Sequence, residues 1–535
     1  MSDDDNDANE ADKNKRIAEA RKKHPNGFCL LARDNDHNRK IFPHGPFGNE
    51  EVADTICPTP DQCPHYHYTE DKDPKAAEDT PIHLLIASYR DKLCGRTLHN
   101  AFKHAKNPKR LTFRVIQQTQ AGSDLEDDDG CWDHYCDKYN PNCQEYKDQV
   151  RIVPVDSGQS LGPTWARAKL SAMVAWDYVH KEKSDELDFQ PVYMQDFCMQ
   201  TDSHMDFSDN FDVELIEMFH KTENDYAVLS TYVTDISENN KDPVNVPNLC
   251  MVEFTSSIRN WGTKECKFLR KPKLTNAMWG AGLSFHRCHA EINVPVDPYL
   301  DGVFDGEEGS RGIRFFTHGY DVYSPDRVLV THDYHGHQSN PVVHTWGRRS
   351  KAQKHETSWK FMDDIERYRK RLTTFGSSRV NMVLGIGSHS FVTEEHGLAR
   401  HSRYGLGTKR TLEQAVEFTG INLRKRKMTT NGCGNKLWVP YEESPDYGVG
   451  ELLSRPHAGE ETKPFIVTPD NGRSLFAAGG KIGDDAITVK IGRTGQGVVP
   501  PATDYKLIGG GLLMILVILL KIMTRKKEKD EDHKK

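Results

Sequence analysis

The feature that most constrains this chain is a strand pattern that ends in an Asp-x-His motif. Residues 192–200 predict a buried strand, and Thr201-Asp202-Ser203-His204 follows directly. Strand side chains alternate with period two, so Asp202 and His204 point the same way. Such a pair can hold one divalent cation, Mn²⁺ or Mg²⁺, with positions left open for phosphate oxygens. These residues alone are also compatible with a polar turn that carries an exposed His.

The same strand belongs to a series in which strands and helices alternate from Pro81 onward. Strands alternating with helices predict an α/β domain with a mainly parallel sheet. Ligands of such sheets gather beyond the carboxyl ends of the strands, where Asp202 and His204 lie. The predicted strands are Ile82–Ser88, Leu111–Gln117, Val150–Val155, 192–200 and Tyr226–Thr231, and the predicted helices are Thr97–His104, Pro163–His180, 210–221, Trp359–Leu372 and Thr411–Thr419.

The rest of the chain divides around this domain, which the patterns place at residues 79–422. Residues 1–78 are charged and lack apolar periodicity, which predicts mostly disorder. Residues 423–505 are weakly patterned and contain many Gly and Pro, as in an accessory module or a linker.

An apolar run at residues 506–524, interrupted by Lys521, predicts a single transmembrane anchor, and residues 525–535 form a basic tail. A buried terminal helix is the alternative. The first residues have no apolar core of the kind found in signal peptides. The sequence therefore predicts a membrane protein whose folded domain lies in the cytosol.

Charge and cysteine content narrow the possible environments. The net charge of −8 gives no support to nucleic-acid binding as the main role. The twelve cysteines show no repeated framework, which predicts free thiols in a reducing compartment.

Segments near the predicted strand ends suit a nucleotide-sugar site. Ser88 and Tyr89 end the first strand, where Arg90 could bind a diphosphate and Asp91 a ribose or uracil; a surface salt bridge explains the last two equally well. Arg167 lies one turn into a helix opened by Gly and Pro, which suits phosphate or simply caps the helix.

Further along the chain, small residues and carboxylates could contact a sugar. Gly280 after Trp279 would let the backbone approach a sugar ring, unless the segment is only a structural turn. Glu307 and Glu308 follow a Gly and could bind sugar hydroxyls or assist the acceptor; a solvated acidic turn is the alternative. One of His332, His335 and His337 could supply a third metal ligand, and Asp333 could also contribute.

Taken in order, six motifs resemble those of the cytoplasmic hydroxyproline-linked polypeptide N-acetylglucosaminyltransferases. That family modifies an adaptor subunit of a ubiquitin ligase and is distantly similar to the mucin-type polypeptide N-acetylgalactosaminyltransferases. The resemblance covers residues 81–422. The motifs are Ile86–Asp91, Gly162–Arg167, Gln200–Met205, Phe304–Glu308, Thr317–Asp321 and Tyr404–Thr411.

The resemblance implies a GT-A fold, UDP-GlcNAc as donor, a divalent cation and retention of the anomeric configuration. The acceptor would be a protein hydroxyl group, that of hydroxyproline. Carried onto this sequence, the metal ligands are Asp202, His204 and His332, and the catalytic positions are Glu307 and Glu308. The residue patterns above add the predicted donor-binding positions Ser88, Tyr89, Arg90, Asp91, Arg167, Trp279 and Gly280.

Two other classes of function remain open at this point. One is a catalytically inactive, membrane-tethered protein that binds a glycan or peptide; intact Asp202, His204, Glu307 and Glu308 argue against it. The other is an unrelated metal-dependent hydrolase, which would need no UDP-sugar.

Overall fold

The computed structural model describes residues 3–30, 49–53, 79–120, 130–182, 189–238, 245–260, 263–335, 373–387 and 402–441. All helices in these ranges except the first lie between or after the strands of one large sheet. The helices are α1 (Asp3–Lys23), α2 (Cys94–His104), α3 (Cys131–His134), α4 (Pro163–Val179), α5 (Phe211–His220), α6 (Cys288–Asn293), α7 (Glu307–Thr317), α8 (373–384) and α9 (Leu412–Thr419).

The strands are short, and most of them follow a helix or a turn. They are β1 (Phe28–Leu30), β2 (Asn49–Glu51), β3 (Ile82–Tyr89), β4 (Leu111–Thr119), β5 (Val150–Asp156), β6 (Phe197–Thr201), β7 (Met205–Phe207), β8 (Ala227–Ser230), β9 (Thr234–Asp235), β10 (Asn245–Leu249), β11 (Val252–Phe254), β12 (Ile258–Asn260), β13 (Thr263–Lys267), β14 (Lys273–Leu274), β15 (Leu283–Arg287), β16 (Asp321–Ser324), β17 (Val330–His332), β18 (Ile421–Asn422) and β19 (Lys427–Met428).

The large sheet has eight strands in the order β14-β16-β8-β15-β6-β3-β4-β5. Strands β6, β3, β4 and β5 are parallel neighbours, as the sequence predicted, and β8 is parallel to β16. Strand β15 lies antiparallel between β6 and β8, and β14 is antiparallel to β16. The result is a mixed α/β fold in which β15, which the sequence did not predict, brings residues 279–282 beside the end of β6.

Helices cover both faces of this sheet because neighbouring strand residues point to opposite sides. Leu84 packs in the cluster that contains side chains of α2 and α5, whereas Leu85 packs in the cluster that contains side chains of α4 and α6. A further cluster joins α7, α8 and α9 beside the sheet.

The strand expected at 192–200 is shorter than predicted. Residues 192–196 form a turn, in which the Tyr193 N–H donates to the Asp196 carboxylate, and β6 begins at Phe197. The strand ends at Thr201, so Asp202 is the first residue beyond its carboxyl end.

Residues 1–78 contain more structure than the sequence predicted. Besides α1, strand β1 pairs with β2 and with β13, which also pairs with β10, in a four-stranded sheet. A long-range pairing of this kind leaves no local periodicity in the sequence. The folded unit also extends beyond residue 422, because the Trp438 indole N–H donates to Asp321 and the Tyr441 hydroxyl to the Gly319 carbonyl.

The prediction of free cysteines is wrong for the described residues, where every cysteine is in a disulfide. The partners are separated by 7 to 237 residues in sequence, so no local pattern could show the pairing. The pairs are Cys29–Cys266, Cys94–Cys131, Cys136–Cys143, Cys198–Cys288 and Cys250–Cys433.

Several predictions concern residues outside the described ranges: the helix at Trp359–Leu372, the linker beyond Tyr441, the anchor at 506–524 and the basic tail. Within the described ranges, no helix is both long and apolar enough to cross a membrane.

Candidate metal centre

Asp202, His204 and His332 meet where β6, β7 and β17 come together. Strand β7 begins directly after His204 and pairs antiparallel with β17, in a register that places Met205 opposite His332. The Nε2 atoms of His204 and His332 are 2.8 Å apart, and His332 Nε2 lies 3.6 Å from an Asp202 carboxylate oxygen. One ligand atom from each residue falls within 4.8 Å of the others. The structure therefore brings together the three residues that the sequence predicted.

The spacing of these three donors fits a divalent cation. Two adjacent ligands of an octahedral ion at about 2.1 Å lie about 3 Å apart, close to the separation of the two histidine nitrogens. Two imidazoles and one carboxylate are a donor set that suits Mn²⁺ and other first-row metals. The Asp202 side chain is 26% exposed, against 10% for each histidine, so the cluster opens to solvent on the Asp202 side.

The surrounding charges keep Asp202 ionised. Burial by itself raises the pKa of its carboxyl group, but Arg167 and the two histidines outweigh burial and hold that pKa below its ordinary value. Burial lowers the pKa of His204, and the hydrogen bond and charge of Asp91 outweigh burial and raise it. The ionised Asp202 carboxylate, together with that of Asp91 beside His204, supplies the negative charge that a cation requires.

Arg167 connects Asp202 to the first carboxylate of α7. One guanidinium nitrogen donates to Glu307 at 2.6 Å, and the other donates to Asp202 at 3.1 Å. Thr164 donates to the same Glu307 oxygen at 3.0 Å. The fork of Arg167 therefore fixes the distance between Asp202 and the start of α7.

Glu307 and Glu308 lie at the beginning of α7, directly after Gly306. The φ of Gly306 is 122°, an angle that glycine adopts readily and other residues rarely do. The second Glu307 oxygen, Oε1, is buried and has no hydrogen-bond partner among the described residues. Glu308 accepts hydrogen bonds from the Tyr232 hydroxyl at 2.5 Å and from the Ala281 N–H at 2.9 Å. Burial raises the pKa of Glu308 to about 7.

The predicted donor-binding residues at the end of β3 are mostly buried. Ser88 is 2% exposed, Arg90 and Asp91 are each 6% exposed, and Tyr89 is partly exposed. Arg90 has a left-handed φ of 47°, which ends the strand and turns the chain toward β6. Asp91 contacts Ser203 and His204.

Trp279 and Gly280 lie behind the site. The Trp279 side chain is fully buried, and its indole N–H donates to Ser284. A Cβ at Gly280 would lie 2.8 Å from the Thr231 carbonyl, so this glycine allows close packing within the protein. The next two residues reach the site instead: Ala281 contacts Glu308, and a Cβ at Gly282 would lie 3.5 Å from Asp202.

Sequence reasoning missed Thr164, Ser203 and Tyr232. The first two lie inside motifs that had been noted, but hydroxyl side chains occur too widely to be singled out. Tyr232 had no sequence signal, because only the packing of residues 231–233 against α7 brings it to Glu308. Of the other residues in the His-rich run, His335 is 80% exposed and Asp333 binds Arg96.

A family model described as Glycosyltransferase (GlcNAc) matches residues 81–136 and 124–425, which is more than half of the 535-residue chain. No curated protein matches the sequence.

Solved structures resemble this chain over part of its length. The crystal structure of GalNAc-T7 with UDP, GalNAc and Mn²⁺ is 12% identical, with a TM-score of 0.32, over 54% of this chain and 55% of that one. The chain thus spans about half the length of GalNAc-T7. The mannosyltransferase PcManGT from Pyrobaculum calidifontis, in complex with GDP-Man and Mn²⁺, is 10% identical, with a TM-score of 0.24, over 59% of this chain and 77% of that one.

Proposed function

Because the chain belongs to the GlcNAc glycosyltransferase family, we propose that it transfers N-acetylglucosamine from UDP-GlcNAc to a hydroxyl group of a protein. The proposal includes a GT-A fold, retention of the anomeric configuration and Mn²⁺ or Mg²⁺ held by Asp202, His204 and His332. The convergence of these three side chains at one end of β6 is the observation that carries it.

A cation at this centre would supply Lewis-acid stabilisation of the negative charge that develops on the leaving diphosphate. The protein's part is to hold the reacting groups in place. Arg167 keeps the Asp202 carboxylate oriented and ties it to Glu307. Glu307 Oε1 is left to accept a hydrogen bond, and a hydroxyl group of the donor sugar or of the acceptor fits that role.

Glu308 has a different task because both of its oxygens already accept hydrogen bonds. It holds Tyr232 and the backbone at Ala281 beside the centre, and in this proposal these groups would contact the sugar. We assign no carboxylate as a nucleophile, and a front-face reaction is the proposed course.

The uridine diphosphate would lie along the carboxyl end of β3, near Tyr89 and Arg90, since ligands of such sheets bind beyond the strand ends. Hydroxyproline is the acceptor group proposed from the motif resemblance. A glycan-binding protein without activity is the alternative, and the intact charged network from Glu307 through Arg167 to Asp202 favours the enzyme.

Attachment to a membrane through residues 506–524 and a cytosolic orientation remain predictions. The cytosolic orientation was inferred partly from the expected free thiols, and the disulfides among the described residues no longer support that inference. Extraction of membranes with carbonate tests the anchor, and protease protection of sealed membranes tests the orientation.

The reaction is tested by UDP release from a panel of UDP-sugars, using the full-length protein in detergent with Mn²⁺, Mg²⁺ or EDTA. We expect metal-dependent turnover that is highest with UDP-GlcNAc and is abolished by Asp202→Ala without loss of fold. Asp209→Ala is the matched control, since Asp209 is 84% exposed and lies outside the cluster. Unchanged activity in Asp202→Ala would contradict the metal assignment, and metal-dependent hydrolysis of substrates without a UDP-sugar would favour the hydrolase.

A further inference from the structure

Asp91 has both carboxylate oxygens engaged inside the protein. Its Oδ2 accepts hydrogen bonds from the Ser203 hydroxyl and, at 2.6 Å, from Nδ1 of His204. Its Oδ1 accepts the Leu93 N–H at 2.9 Å. The residue is only 6% exposed. These contacts leave little of Asp91 for a ribose or a uracil.

The contact with His204 fixes which imidazole nitrogen can bind a cation. A histidine whose Nδ1–H donates to a carboxylate carries its lone pair on Nε2, and the carboxylate also fixes the plane of the ring. Nε2 of His204 is the atom that faces His332 in the cluster. A rotated or differently protonated ring would offer the cation an N–H group instead.

From these contacts, we propose that Asp91 is a positioning residue for the metal centre. Asp91 holds His204 in the orientation and tautomer that a divalent cation needs. This inference rests on the metal site of the proposed function. It assigns Asp91 to the cation side of the site, although the sequence had placed it with the nucleoside of the donor.

The geometry of the chain explains how a residue beyond β3 reaches a residue beyond β6. The two strands are parallel neighbours, with Ile86 paired to Thr201, so the carboxyl ends of both strands lie at the same edge of the sheet. Arg90, with its left-handed backbone, then turns Asp91 toward the segment 202–204. Thr97 on α2 secures that segment by donating to the Ser203 carbonyl at 2.8 Å.

The chain contains a matched control in Asp196. Asp196 is also 6% exposed, and its carboxylate accepts hydrogen bonds from His83 at 2.9 Å and from the Tyr193 N–H at 2.8 Å. It precedes β6 and therefore lies at the opposite end of the strand from Asp202. An Asp→Asn change at either position perturbs a buried Asp–His pair, but only one pair includes a proposed metal ligand.

The experiment measures the Mn²⁺ dissociation constant of the full-length protein, without any donor, from the electron paramagnetic resonance signal of free Mn²⁺. We expect Asp91→Asn to raise this constant about 10- to 100-fold, the usual effect of removing the carboxylate partner of a histidine ligand. Asp196→Asn should stay within about twofold of the wild type. Thermal unfolding of each variant checks that it is folded.

A double-mutant cycle separates positioning from a general structural effect. If Asp91 acts through His204, then adding Asp91→Asn to His204→Ala should change the Mn²⁺ dissociation constant by less than about twofold. A full additional loss in the double variant would contradict the proposal. Ser203→Ala removes a hydrogen-bond donor to Asp91 without altering a metal ligand, and we expect it to weaken Mn²⁺ binding severalfold. If Asp91→Asn does not fold, this variant tests the positioning role in its place, and unchanged Mn²⁺ affinity would contradict that role.

The outcomes also separate this inference from the proposed function. Wild-type affinity in Asp91→Asn, combined with weak binding in His204→Ala, would overturn the positioning role and leave the metal site intact. Wild-type affinity in both Asp202→Ala and His204→Ala would overturn the metal site and, with it, the role of Asp91.

Discussion

Glu307 and Glu308 are neighbours in the chain but have different surroundings. Glu307 is paired with Arg167, whereas the contacts of Glu308 are the Tyr232 hydroxyl and a backbone N–H. Burial raises the pKa of Glu308 to about 7, and its hydrogen bonds only partly offset this effect. A carboxyl group of this kind changes charge near neutral pH, so the free energy of unfolding of the protein depends on pH in that range.

We predict that Glu308→Gln changes how the free energy of unfolding depends on pH. In the unfolded chain Glu308 regains its ordinary pKa of about 4.3, so between that pH and about 7 the folded protein holds the extra proton. The stabilisation from the protonated form is complete below the unfolded pKa and is lost as pH rises to about 7. Glu308→Gln should therefore remove part of the decline in stability between about pH 4.5 and 7.

Urea unfolding at several pH values measures this effect as a difference between the variant and the wild type. Glu217→Gln on α5 is the control, because Glu217 is exposed, and its curve should run parallel to that of the wild type. A constant difference between Glu308→Gln and the wild type over this pH interval would show that Glu308 does not hold the proton.

At the scale of elements, the position of the two carboxylates depends on how closely α7 approaches the chain at 277–279. Gly312 makes this approach possible, since a Cβ there would lie 2.3 Å from the Ala277 carbonyl oxygen and 3.1 Å from the Trp279 nitrogen. Arg311, next to it, stacks on the Trp279 ring and binds Glu291. The helix is thereby held against the segment that carries Ala281.

We predict that Gly312→Ala destabilises the protein and also reduces its activity. The new methyl group would push α7 away from backbone atoms that cannot easily move. Because the contact is so short, the cost is expected at the upper end of the usual range, about 3 kcal/mol, which exceeds the gain of about 1 kcal/mol in helix propensity. Displacement of α7 would also move Glu307 away from Arg167.

Gly309→Ala in the same helix is the matched control, because its Cβ would meet the Ile258 side chain at 2.8 Å, which can shift more easily than backbone. Thermal unfolding and UDP release of both variants test the prediction. Equal stability of the two variants would argue against a tight backbone contact at Gly312.

At the scale of the whole molecule, disulfides join parts of the chain that are far apart in sequence. Cys29–Cys266 joins the N-terminal β1 to β13. Cys250, between β10 and β11, is joined to Cys433, which lies after β19 in the segment that carries Trp438. Cross-links over such long loops are expected to stabilise a fold mainly by restricting the unfolded chain.

We predict that the denatured, unreduced protein has at most two reactive thiols, because ten of its twelve cysteines are paired. Titration with a thiol reagent in guanidinium chloride, before and after reduction, counts them. Dithiothreitol should also lower the unfolding temperature. Ten or more thiols before reduction would show that the protein is held in the reduced state.

The sequence by itself determined the parts of the structure that depend on local pattern. Alternating strands and helices indicated the α/β sheet and placed Asp202 and His204 beyond a strand. The helix predicted at Thr411–Thr419 was confirmed as α9, which begins with a Thr411/Gln414 capping box and ends at Gly420. These features depend on hydrogen bonds and side-chain spacing within a few residues, which the order of residues specifies directly.

Tertiary structure decided the contacts between residues far apart in the chain. The pairing of β7 with β17 placed His332 beside His204, and the packing of α7 brought Glu308 to Tyr232. The contact between Asp91 and His204 and the disulfides were settled in the same way. Such contacts leave no periodic signal in one sequence, because they arise only when the strands and helices pack together.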